Sequence, residues 1–106
     1  MLPMGKRRAQ LEQLLVDFPD DPEIRYGLAM DSAGDGLDEQ CVQELRSIVF
    51  LNPEFIPSYL QLGQALVRLE KDAEAAEVYR SGIKQARLVG NGAAADEMAR
   101  FLDQLN

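Results

Sequence analysis

The 106 residues carry 18 acidic and 11 basic side chains, a net charge of −7, with no histidine, no tryptophan and one cysteine. That length fits one small domain, and the acidic balance argues against a general nucleic-acid binder, whose phosphate contacts need Lys and Arg. The lack of His removes Ser-His-Asp and Cys-His catalysis and His-ligated metals together, while a lone Cys forms no internal disulfide and is compatible with a reducing compartment.

The chain opens Met1-Leu2-Pro3-Met4-Gly5-Lys6-Arg7-Arg8. A signal peptide would follow these basic residues with an apolar run, but Ala9-Gln10-Leu11-Glu12-Gln13 comes next. No stretch approaches the ~20 apolar residues of a membrane span, so a soluble, cytoplasmic protein with no membrane contact is expected. Residues 6–18 read as an amphipathic helix with Leu11, Leu14, Leu15 and Phe18 at i, i+3, i+4 and i+7. Pro19 stops it. Basic residues oppose the dipole at a helix start, so Lys6-Arg7-Arg8 reads as a solvated tip, with a docking patch for an acidic partner as its rival.

Asp21-Pro22-Glu23 opens the second helix as N-cap, first helical residue and first-turn acid. It runs through Ile24, Leu28 and Ala29 to about Ala33, where Gly34-Asp35-Gly36 breaks it. A third helix, with Asp38 expected as its cap, turns Val42, Leu45, Ile48, Val49 and Leu51 inward and ends at Pro53. A fourth carries Tyr59, Leu62, Gly63 and Leu66, and Glu70-Lys71-Asp72 turns the chain. A fifth, about 72–88 with Asp72 as its candidate cap, places Ala75, Tyr79 and Gly82 on one face. Gly90-Asn91-Gly92 then leads to a last helix, about 93–105, with Met98, Phe101, Leu102 and Leu105 on one side.

These residues repeat. Pro53, Leu62, Gly63, Asp72, Ala75, Tyr79 and Gly82 lie 34 positions after Pro19, Leu28, Ala29, Asp38, Cys41, Leu45 and Ile48. The first helix keeps the register, since Leu11, Leu14, Leu15 and Pro19 precede Leu45, Ile48, Val49 and Pro53 by the same step. Tyr59, Leu62-Gly63, Leu66, Ala75, Tyr79 and Gly82 resemble the tetratricopeptide repeat (TPR) pattern of aromatic, Leu-Gly, apolar, small, aromatic and small residues, whose period is also 34. Small residues at Gly63 and Ala75 let two helices cross closely. The resemblance covers about residues 6–88. It predicts an all-α fold of about six helices, with antiparallel hairpins stacked as a short superhelix in one domain, 1–106. Its parts would be an N-terminal half-repeat helix (6–18), repeat 1 (22–53), repeat 2 (56–88) and a capping helix (93–105). Repeat 1 departs from the pattern at Arg25, where the aromatic has moved on to Tyr26, at Ser32 in place of an apolar residue, and at Ile48 in place of a small one. Cys41 reads as a small buried hydrophobe.

No chemistry stands out. Asp31–Val42 matches a calcium loop at Asp35-Gly36 but offers Ala33 and Val42 where oxygen ligands are needed. The acidic pairs Asp20-Asp21, Asp38-Glu39 and Asp96-Glu97 are explained as helix caps. Neither an enzyme nor a cofactor is expected. The resemblance implies a protein–protein interaction module that holds a partner's peptide or amphipathic helix in a concave groove. Mapped residue by residue, the groove would show Glu23, Tyr26, Gly27 and Met30, then Pro57, Leu60, Gln61, Gln64, Val67 and Arg68. Chaperone-tail binders of that family grip a terminal carboxylate with Lys and Asn, and Tyr26 and Met30 stand in those places, so such binding is not expected. Tyr, Met and Leu suit an apolar or amphipathic partner helix. Rival readings are a self-associating homodimer and a fragment of a longer array.

Overall fold

Proline, glycine and asparagine punctuate the chain into six helices. The structure, a computed structural model, describes residues 4–105; the Met1-Leu2-Pro3 part of the N-terminal stretch lies outside the described residues. The order is α1 (Met4–Asp17), α2 (Pro22–Gly34), α3 (Asp38–Leu51), α4 (Pro57–Arg68), α5 (Asp72–Leu88) and α6 (Gly92–Gln104). No strand occurs among the described residues. Each helix packs principally on its neighbours in the chain, so α2–α3 and α4–α5 form stacked hairpins flanked by α1 and α6.

The helix ends correct several expectations. Asp21 caps α2 as expected, its carboxylate accepting from the backbone N–H of Glu23 and Ile24. Asp38 and Asp72 are not caps. They are the first residues inside α3 and α5, and the capping positions belong to Leu37 and Lys71, which make no side-chain cap bond. Asp38 instead accepts from Arg68 Nε at 2.8 Å, and acids in a first turn still meet the positive end of the helix dipole. Asp96-Glu97 lies in the second turn of α6, whose cap is Asn91, accepting from the Ala94 N–H at 3.1 Å. The turn inside each hairpin needs one left-handed residue. It is Gly36 (φ 75°) in the first and Glu70 (φ 60°) at the equivalent point of the second.

The core runs through both hairpins. Ala29, Cys41, Leu45, Ile48, Tyr59, Leu62, Leu66, Ala75, Tyr79 and Met98 are all buried in it. Burial pushes the Cys41 thiol and the Tyr59 and Tyr79 hydroxyls above their ordinary pKa values. Gly63 sits at the closest crossing, where a Cβ would stand 2.3 Å from Tyr79 Cε1. Gly82 is as tight, with Met98 Sδ at 2.5 Å and Tyr59 Cβ at 2.6 Å from a built Cβ. Leu51, placed inward by its spacing, is exposed. So are Leu14 and Phe18 of the first predicted apolar face, because α1 has a packed neighbour on one side and Phe18 lies past the helix end.

Arg8 is not part of a solvated tip. Lys6 and Arg7 are exposed, but the Arg8 guanidinium reaches across α2 to α3. It donates to Glu44 at 2.6 Å, Ser32 Oγ at 3.1 Å and the Leu28 carbonyl at 3.3 Å, with Glu12 at 3.1 Å and Asp31 at 3.8 Å. The fully buried Ser32 hydroxyl donates in turn to Glu44. The polar residue that broke the repeat pattern is therefore satisfied, as a buried hydroxyl must be. The Arg25 departure has a similar explanation. Tyr59 donates its hydroxyl to the Pro53 carbonyl at 2.7 Å, and Arg25, 34 residues earlier, donates Nε and Nη2 to the Pro19 carbonyl at 3.2 and 3.0 Å. A guanidinium replaces a phenol at the same anchoring bond.

Candidate protein-interaction groove

The helices α2, α4 and α6 share one face. Tyr26 on α2 is half-buried, its ring edge-on to Phe55 at a centroid distance of 5.6 Å and 61° between planes. Burial raises the Tyr26 hydroxyl pKa, an effect that the neighbouring Gln61 side chain reduces. One turn on, Met30 is half-buried against the core. Glu23 is exposed at the start of α2. Gly27 faces α1, where a Cβ would stand 3.5 Å from Leu11. The two sides of Tyr26 thus differ: one neighbour seats the N-terminal helix and the other opens toward α4.

On α4, the candidate residues fall beside two clefts shared with α6. Pro57 and Leu60 line a small one of about 200 Å³ with Ala94, Glu97 and Met98. Gln64, Val67 and Arg68 line a larger one of about 370 Å³ with Tyr79, Phe101, Gln104 and Leu105. The Tyr79 and Phe101 rings stack at 6.0 Å, 19° apart, beneath it. Gln61 lies between the clefts, half-buried. The Arg68 guanidinium is held at the rim by Asp38.

Phe101, Gln104 and Leu105 were absent from the sequence-predicted groove. Their spacing marks an apolar helix face but does not say that the face meets α4 as well as α5. The signal that would have found them is Gly82. Its missing side chain admits Met98, which fixes how α6 rotates against the second hairpin.

The opposite face, formed by α1, α3 and α5, holds two clefts in strict register. Leu15, Arg25, Leu28, Gln43, Glu44 and Ser47 line one of about 290 Å³. Their counterparts 34 residues on, Val49, Tyr59, Leu62, Glu77, Val78 and Ser81, line one of about 530 Å³ together with Arg46, Phe50 and Glu74. Among the described residues no cluster of His, Cys, Asp or Glu could hold a metal ion, and no helix is long and apolar enough to cross a membrane.

No family model matches the chain, and no curated protein matches it either. Solved structures do. A tetratricopeptide repeat domain protein from Salinibacter ruber, determined in solution, superposes with a TM-score of 0.79 at 25% identity over 83% of this chain and 89% of its own. The crystal structure of the Salinibacter ruber domain gives 0.75 at 25% identity over 80% and 94%. A Bordetella parapertussis protein gives 0.79 at 23% identity over 92% and 85%. Six helices in hairpins, a 34-residue register and these superpositions together identify the chain as having a tetratricopeptide-repeat-like fold.

Proposed function

We propose that the protein is a non-enzymatic recognition module that holds a peptide or amphipathic helix of a partner protein in the groove of α2, α4 and α6. Folds of this class generally serve protein interaction. The observation that carries the reading is the row of half-buried apolar and amide side chains from Tyr26 and Met30 across Gln61 and Gln64 to the cleft floored by Phe101. Such surfaces anchor apolar residues of a helix. The net charge of −7 favours a protein over a nucleic acid as the partner, no cofactor enters the reading, and the single buried Cys41 suits the cytoplasm.

The test is capture of partners from the source cell by three forms of the protein. Tyr26→Ser with Leu60→Ser should abolish capture while circular dichroism shows the helix content retained, because buried anchors dominate interface energy. Val67→Asp, at an exposed position, should weaken it without touching the core. Lys6→Glu with Arg7→Glu should leave it intact. Loss by the charge variant and retention by both groove variants would defeat the reading. A second reading is favoured by the exposed apolar side chains of Leu14, Val16 and Phe18: α1 is covered by one further helix, from a longer array or from a second copy.

A further inference from the structure

We propose a second interaction surface, the α3–α5 cleft, and a second copy of this chain as its occupant. Phe50 is 85% exposed, the most exposed of the large apolar side chains among the described residues. Single exposed apolar residues are ordinary, but Phe50 stands at the mouth of the 530 Å³ cleft, beside the half-buried Val49 and Val78. Knob and hole therefore occupy one patch. A patch holding both is self-complementary under a two-fold axis: Phe50 of each copy fills the cleft of the other.

The charges point to the same occupant. A chain of net charge −7 repels its own copies over most of its surface. The lining of this cleft carries a base, Arg46, beside Glu74 and Glu77, so a second copy offers each patch a base for its acids. Arg46 pairs with Glu74 at 3.0 Å, while Glu77 has no ion-pair partner among the described residues. Arg46 lies one turn from Phe50 and Glu77 lines the same cleft, so in the proposed dimer both stand in the contact and Arg46 of one copy is the base available to Glu77 of the other. This surface is separate from the groove of α2, α4 and α6, and its occupancy leaves that groove open.

Light scattering and sedimentation equilibrium of the full chain over a concentration series test the proposal. The wild type should show a concentration-dependent dimer. Phe50→Ser should raise the dissociation constant at least tenfold with unchanged helix content, since the residue it replaces touches solvent on most sides. Glu77→Arg should weaken the dimer, and adding Arg46→Glu should restore it by reversing the pair. A monomer at every concentration, a dimer indifferent to Phe50→Ser, or a charge reversal that restores nothing would overturn it. So would a dimer lost to Phe18→Ser alone, which would place association at the end of α1. Capture of a groove partner by the Phe50→Ser form keeps this result separate from the groove reading.

Discussion

At one point of the register the N-terminal part of the array holds Arg8, Ser32 and Glu44. The residues 34 further on are Val42, Leu66 and Val78. The first set is tied by hydrogen bonds and an ion pair among α1, α2 and α3. The second set packs as plain hydrocarbon on the common core. The crossings differ in the same way. The second hairpin brings Gly63 against Tyr79, while the first has Ala29 and Leu45 in those places. One backbone repeat thus tolerates opposite chemistries, provided each position's partners change with it. What the register conserves is the set of filled volumes and satisfied groups, not the residue types.

The largest expected effect is at the crossing. Gly63→Ala forces the Tyr79 ring to move, and overpacking of that kind costs ~1–3 kcal/mol, visible as a drop in Tm. Adding Tyr79→Leu copies the Ala29–Leu45 pair and should recover part of the loss. Should Gly63→Ala melt like the wild type, the two crossings are not different in closeness.

Next comes the polar site. Arg8→Ala leaves Glu44 and the buried Ser32 with fewer partners, and bonds to charged groups are worth ~1.5–3 kcal/mol; the guanidinium is a quarter exposed, so the lower end applies. Hydrogen exchange should locate the loss in α1 and leave α5 and α6 protected. The triple change Arg8→Val, Ser32→Leu, Glu44→Val installs the apolar set of the second site and should restore or raise stability. A triple variant less stable than Arg8→Ala would show that the two sites are not interchangeable.

Alkaline pH separates the hairpins more gently. Cys41 in the first and Tyr59 and Tyr79 in the second hold their protons more tightly folded than unfolded, through burial. The unfolded chain then binds fewer protons above the ordinary values of 9.0 for the thiol and 10.0 for the phenols. Stability is fully present below pH 9 and falls as pH rises. Chemical denaturation at pH 8 and 10 should show Cys41→Ala losing less than the wild type; equal losses would exclude the thiol.

The two carbonyl anchors should differ slightly. Tyr59→Phe removes a part-buried bond worth ~1 kcal/mol, whereas Arg25→Met removes an exposed one and should cost less. The reverse order would mean that the exposed guanidinium holds its carbonyl more firmly than the phenol does. Smallest of all is Ser58→Ala. Its hydroxyl is fully buried with no partner among the described residues, so its removal should be neutral or slightly stabilising by thermal melting.

The hairpins, their breaks and the tight approach at Gly63 were legible because periodicity and small residues are local signals. Arg8 was not. Its partners Ser32 and Glu44 lie 24 and 36 residues away, and nothing near Lys6-Arg7-Arg8 announces them. Asp38 and Asp72 were misread as caps because both capping and first-turn positions favour acids, and only backbone geometry separates the two. In the groove, Tyr26 and Met30 follow from the repeat register, but the contribution of α6 depends on a rotation set by tertiary contact.

The succession of neighbour-on-neighbour contacts also sets the order of assembly. Contacts between adjacent helices join residues close in sequence, and chains of this kind fold quickly. Each hairpin closes with its own short turn, but α3 packs on α4 as extensively as on α2, so the apolar face of α2–α3 is complete only once α4 has followed. The docking of α1 needs Ser32 and Glu44 already in place. The first helix of the chain therefore settles only after α2 and α3 have met.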